Sequence, residues 1–260
     1  MDCIITAGGI PGPDDPLYEY AQGKPKALID MNGRTMLERV VDAFQHAQSV
    51  DDIVIVGLGD DMGMQFQRPV HHLPDHGSLL GNVLAGVRWL REQKGDVGYV
   101  LLSSADVPTL TGEIIDDFVA RCQPLDKAVY YNFVTKEAME RRFPHSNRTY
   151  VKLKGVQIAG GDVVLADSVL ADSHQELWEQ LTNARKHAWK LAKTVGLWPM
   201  LKLLFRQLSI EDIENLFLRV VGRPAKIILN PHAEIAMDAD KPHQVDLLRE
   251  DLQQREQAKN

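Results

Sequence analysis
Two separated groups of carboxylates and a glycine–lysine pair are the residues whose types and spacing suggest chemistry. Asp106 stands in Ser103-Ser104-Ala105-Asp106-Val107-Pro108, directly after an apolar run. Asp238 and Asp240 stand two residues apart in Met237-Asp238-Ala239-Asp240-Lys241-Pro242. Carboxylate oxygens suit a hard cation such as Mg²⁺. If the later segment is a strand, residues two apart share a face, so both of its carboxylates reach one cation. Ala7-Gly8-Gly9 and Gly23-Lys24-Pro25-Lys26-Ala27-Leu28 supply a complementary half. Glycines let consecutive backbone N–H groups form an anion-binding concavity, and a lysine later in the loop neutralises phosphate oxygens. Simpler readings stand beside these: a helix-capping aspartate, an acidic helix N-terminus, and a glycine turn next to solvated lysines. Two better-known phosphate loops are excluded. Pro25 follows Lys24 where a Walker A loop needs Ser or Thr. Pro11 and Pro13 prevent the helix that a dinucleotide fingerprint opens into.

The elements that must position these residues are legible as alternating short apolar runs and helical patterns. Residues 3–6, 53–58 and 99–103 read as buried strands, with helices between them over 35–47 and 78–91. Thr35 and Glu38 form a capping-box pair at the start of the first. Such alternation predicts an α/β fold, a mostly parallel sheet covered on both faces by right-handed crossovers. Ligands of such sheets bind beyond the carboxyl ends of the strands, so the loops after Thr6, Leu58 and Ser104 are expected to share one crevice. After Gly161 the pattern changes. Residues 172–222 read as helical, with new starts at Pro199 and Ser209, strand-like text returns at 225–229, and a last helix follows Pro242. The expected organisation is one domain over 1–260 with a helical insertion at 172–222.

The bulk properties bound the partners. A net charge of -7 argues against a nucleic acid duplex. Cys3 and Cys122 are too few and too far apart for a disulfide framework or a zinc site, and fit a reducing compartment. The sequence opens without a basic leader and long apolar run, and no stretch is apolar long enough to span a bilayer, so a cytoplasmic protein is expected.

Ala7-Gly8-Gly9, Lys24-Pro25-Lys26-Ala27-Leu28-Ile29 and Asn32-Gly33-Arg34-Thr35-Met36-Leu37, in that order, resemble the signature region of the NTP-transferase superfamily. The molybdopterin-guanylyltransferase-like members are the most similar, with sugar-phosphate nucleotidylyltransferases further out. The resemblance implies a Rossmann-like, three-layer GT-A-like fold. It implies an enzyme that moves a nucleoside monophosphate from an NTP to a phosphorylated small molecule, a sugar phosphate, phospho-alcohol or pterin phosphate, and releases pyrophosphate. It assigns the nucleotide to Ala7, Gly8, Gly9 and Lys26, the metal to Asp106 in an Asp-x-Pro turn, and a second metal aspartate to Asp240, with Asp238 beside it. Residues 10–22 lack the arginine that the family often carries in this loop, and Lys24 is the available substitute. Lys241, His243 and Gln244 depart from the family's ending.

Weaker signals complete the reading. Ser78, Gly81 and Asn82 resemble the helix start at which these enzymes read base and ribose, although an N-cap serine and packing glycines explain them equally well. Ala159-Gly160-Gly161-Asp162 resembles an acceptor-binding turn, and Lys152 and Lys154 share a face upstream. His71, His72 and His76 lack metal-site spacing and are expected to be solvent-exposed. Residues 184–208 carry Arg185, Lys186, Lys190, Lys193, Lys202 and Arg206 without an acidic residue, behind an apolar stripe of Trp198, Leu201, Leu204, Phe205 and Leu208. That stripe fits packing on the α/β body or on the second subunit of a homodimer, with contact at an anionic membrane surface as the alternative. Two other functions remain open. A nucleotide-sugar glycosyltransferase would explain the D-x-D form, and a non-catalytic nucleotide-binding module would explain the missing arginine.

Overall fold
The computed structural model describes residues 1–172 and 197–259. Its centre is β1, Asp2–Thr6, where alternation sends Cys3 and Ile5 to one face and Ile4 to the other, all fully buried. A strand buried on both sides belongs in the middle of a sheet. Parallel neighbours are β2 (Ile53–Val56) and β4 (Tyr99–Ser104), and β3 (His71–Leu73) pairs parallel with β2 at the edge. Beyond β4, the long strand β7 (Val156–Asp167) runs antiparallel between β4 and β5 (Val129–Thr135), and β8 (Ala225–Leu229) pairs parallel with β5. The order β3-β2-β1-β4-β7-β5-β8, with β6 (Val151–Leu153) paired to the start of β7, is a mixed sheet of eight strands among the described residues.

Helices cover both faces. On the Cys3 and Ile5 side lie α2 (Met36–His46), α4 (Gly112–Arg121) and the last helix, α8 (Pro242–Lys259); α1 (Tyr18–Ala21) and α5 (Lys136–Arg142) are short. Phe44 of α2 and Phe118 of α4 are sealed there, and truncating either to alanine should cost about 3–5 kcal/mol. On the Ile4 side lies α3 (Leu79–Lys94). A methyl group on Gly86 would come within 2.8 Å of the Ile4 side chain, so α3 sits close to β1 because that residue is glycine. The expected capping box is present: the Thr35 side chain accepts from the Glu38 N–H and the Glu38 carboxylate accepts from the Thr35 N–H. Of the insertion, α6 (Leu197–Leu204) and α7 (Ile210–Val221, capped by Ser209) fall among the described residues. No helix there is long and apolar enough to cross a membrane.

Three expectations are corrected. Residues 159–162 do not form a turn; they lie inside β7, where the register slips between Tyr131↔Val164 and Phe133↔Gly160. Such a bulge re-aims side chains beside a site. Asp238 and Asp240 do not lie on a strand, but on irregular backbone between a 3₁₀ turn at Ala233–Ala236 and α8. His71 and His72 are half-buried in β3, His71 against Trp89 and His72 against Phe66.

Candidate active site
The carboxyl ends of β1 and β4 are tied together where Ala105 N–H donates to the Thr6 carbonyl at 3.1 Å. From Thr6 the chain makes a loop whose first glycine is pressed against its neighbour. A side chain on Gly57, at φ +129°, would meet Gly8 N at 2.2 Å, and one on Gly8 would meet Asp75 Oδ1 at 2.6 Å. Gly9 has nothing within 4 Å of where a Cβ would lie, so its face is open to a ligand. Lys26 N–H donates to the Gly9 carbonyl at 2.8 Å, which closes the loop and sets Lys26 beneath the glycine turn. Ala7 is buried, and its N–H is spent on the Val56 carbonyl.

Lys26 Nζ donates to Asp106 Oδ2 and to Asp240 Oδ1, both at 2.6 Å. Carboxylate oxygens of Asp106, Asp238 and Asp240 all lie within 4.8 Å of one another. Asp106 is oriented by Ser104, whose hydroxyl donates to Oδ1 at 2.5 Å. It does not cap α4; Thr111 does. The late motif is fixed from two sides. Ala239 N–H donates to the Asp106 carbonyl at 3.0 Å, and Asp240 N–H donates to Gln244 Oε1 at 3.0 Å. Buried Gln244 also donates from Nε2 to the Ser146 carbonyl. Behind the motif, Glu234 and Asp251 are bridged by Arg142 and Arg255, which clamps the 3₁₀ turn to α8.

Two further groups converge on the cluster. Arg148 pairs with Asp238, and its Nε is buried without a hydrogen-bond partner. Asp162, re-aimed by the β7 bulge, carries a buried Oδ2 that is also unpartnered. Burial, then the negative charges of Asp106 and Asp240, push the Asp162 carboxyl up to about 8, against the opposing pull of Arg148 and Lys26. Burial lowers the Lys26 ammonium, but Asp106 and Asp240 more than offset it and hold it above the ordinary lysine range. The bulge itself is filled by buried Asn132, which donates to the Val163 carbonyl and accepts from Asn230. Gly161 lets β7 approach, since a methyl group there would lie 2.8 Å from Asn132 Cβ.

The remaining sequence candidates lie apart or have local work. Ser78 caps α3 by accepting from Gly81 N–H, and a methyl group on Gly81 would lie 2.7 Å from the His76 carbonyl. Asn82 is buried, accepting from His76 N–H and donating to Asp75. These bonds shape the 75–78 loop that faces Gly8. Lys24 is exposed in the glycine loop, and Lys152 is exposed on β6 opposite Gln157, outside the Lys26–Asp106–Asp240 network. Beyond Asp162 and Ser104 a cavity of about 530 Å³ opens over the sheet, walled by Leu80, Val83, Leu102 and Tyr131. Sequence reasoning missed Arg148 and Gln244. Arg148 has no motif around it. Gln244, at the third helical position behind Pro242, carries a helix-start signal that pointed to it.

A mixed sheet of this order, flanked by helices, is the Rossmann-like fold of the NDP-sugar transferases. A hypothetical transferase from Thermus thermophilus is 32% identical, with a TM-score of 0.81 over 94% of this chain and 98% of its own. The 4-diphosphocytidyl-2C-methyl-D-erythritol synthase of Anaerococcus prevotii shares the fold at 13% identity, with a TM-score of 0.56 over 97% of this chain and 95% of its own. A CMP:2-keto-3-deoxy-manno-octonic acid synthetase solved with CTP does so at 10% identity, TM-score 0.56, over 98% of each chain. The model of the MobA-like NTP transferase domain matches residues 21–222, and the protein belongs to that family.

Proposed function
We propose that the protein transfers a nucleoside monophosphate from an NTP to a phosphorylated small molecule and releases pyrophosphate, with Mg²⁺ held by Asp106, Asp238 and Asp240. The observation that carries this reading is the convergence of those carboxylates with Lys26 at the open end of the glycine loop. The donor set fits the ion, because it is all carboxylate oxygen and its three members already converge on one point. Bound there, Mg²⁺ would neutralise charge building at the α-phosphate.

The residues supply positioning. An acceptor phosphate has its second pKa near ~6 and is already a dianion at neutral pH, so no strong base is required. Its oxygen forms the new bond to the α-phosphorus as the bond to pyrophosphate breaks, and the leaving charge is carried by pyrophosphate. Gly8 and Gly9 would cradle the nucleotide's phosphates, with Lys26 and exposed Lys24 neutralising the leaving pair. Ser78, Gly81 and Asn82 would shape the wall that meets the base. Asp162 and Gly161 face the acceptor side, with Lys152 further out. Residues 172–222 are the proposed wall over that side, although most of its basic cluster lies outside the described residues. Among the described ones, Leu204 and Phe205 remain 73% and 69% exposed, whereas Leu208 is buried against Leu153 and Ile158.

The test is a screen of the four NTPs against phosphorylated sugars, alcohols and pterins, read as pyrophosphate. CTP with sugar phosphates is the first arm, because fold relatives are cytidylyl-transferring proteins by name. Release of a nucleoside diphosphate from a nucleotide sugar instead would move the reading to glycosyl transfer.

A further inference from the structure
In this structure the lysine assigned to the triphosphate is bonded to the carboxylates assigned to the metal. Nζ of Lys26 lies 2.6 Å from Asp106 Oδ2 and 2.6 Å from Asp240 Oδ1, which spends two of its three donors on the oxygens that would ligate the ion. Asp238 is likewise covered by Arg148. Each of the three carboxylates therefore carries a resident cation. A dication and an ammonium cannot share the same pair of oxygens without strong repulsion.

We infer that Lys26 is a built-in counter-ion that keeps divalent metal out of the nucleotide-free enzyme, and that its departure to the phosphates is what admits the metal. This rests on the nucleotidyl-transfer reading above. The backbone supports it, because Lys26 N–H is anchored on the Gly9 carbonyl and only the side chain has to swing from the aspartates towards the glycine loop. The Lys26 side chain is also partly exposed, so it has room to leave. Metal and nucleotide would then load together, and ion binding without a triphosphate to hold would be suppressed.

The experiment is a Mn²⁺ titration of the nucleotide-free protein, followed by the paramagnetic resonance of free manganese. Lys26→Met should bind Mn²⁺ at least ~10-fold more tightly than wild type, whereas Lys26→Arg, which keeps the charge, should stay weak. A second readout needs no variant. Saturating Mn²⁺ should raise the labelling of Lys26 in wild type by an amine-reactive anhydride, located by mass spectrometry. Equal Mn²⁺ affinity in wild type and Lys26→Met, lost in Asp106→Asn, would keep the metal site and overturn the exclusion by Lys26. Unchanged labelling of Lys26 at saturating metal would overturn it as well. Absence of Mn²⁺ binding in every protein would overturn both the metal site and this inference.

Discussion

The backbone N–H of Ala239 donates to the carbonyl oxygen of Asp106 at 3.0 Å, so the two acidic motifs are joined by main chain before any ion or substrate is considered. That bond places Asp238 and Asp240 on either side of a residue already fixed against the Asp106 turn. The cluster is therefore preorganised, and changing one carboxylate should remove a ligand without dismantling the site. Asp106→Asn and Asp240→Asn are each expected to lower turnover by ~10²–10³ or more, by analogy with the loss of one transition-state-stabilising group. Melting temperature should change little, since each substitution relieves carboxylate repulsion but also removes one of the two ion pairs to Lys26. Near-wild-type rates for both variants at saturating magnesium would contradict the assignment.

Gln244 tests the positioning separately from the chemistry. It is buried, accepts from Asp240 N–H and donates to the Ser146 carbonyl, without belonging to the acidic cluster. Gln244→Leu leaves the Asp240 N–H without its partner and the Ser146 carbonyl with His243 alone, at about 1–3 kcal/mol. Urea unfolding should show that loss, with turnover falling more than NTP affinity. Full stability and full turnover together would show that the segment holds itself.

Much of the frame was legible before the structure, and the failures share a cause. Strands β1, β2 and β4 announce themselves because both faces are buried and their text is continuously apolar, and α2 because Thr35 and Glu38 cap it. Strand β3 did not, since His71-His72-Leu73 is a half-buried edge whose residues carry no apolar signal. Residues 159–162 looked like a turn because two glycines interrupt them, yet those glycines serve close packing and a bulge in β7. The convergence of Asp238 and Asp240 was anticipated for the wrong reason, as a strand face instead of irregular backbone pinned by Ala239 and Gln244. Arg148 depends on a loop with His145 and Asn147 at positive φ, which nothing local in the sequence specifies.

Asp162 gives the molecule a pH signature in metal-free buffer. Its carboxyl rises from 3.8 to about 8, through burial first and Asp106 second. Between those values the folded protein keeps a proton that the unfolded chain has released, so stability falls as pH rises. Asp162→Asn removes this titration. The melting temperatures of variant and wild type should be closest at about pH 4, with the variant's advantage growing towards about pH 8. A pH-independent difference would show that the Asp162 carboxyl is not held protonated.

Lys26→Ala should separate triphosphate from monophosphate. In EDTA, affinity for the NTP should fall ~10-fold or more, because a charge-assisted contact to the outer phosphates is lost. Affinity for the corresponding NMP, which lacks those phosphates, should be nearly unchanged. Isothermal titration of both ligands decides it, and equal losses would move Lys26 away from the pyrophosphate.

The central claim is that the α-phosphoryl group moves with its nucleoside while pyrophosphate leaves. With α-³²P-labelled NTP and the acceptor that the screen selects, label should pass into a new nucleotidyl–acceptor product in step with pyrophosphate. Both signals should vanish in Asp106→Asn. Label that stays in the NTP for every acceptor, or that appears as nucleoside diphosphate without pyrophosphate, would contradict nucleotidyl transfer.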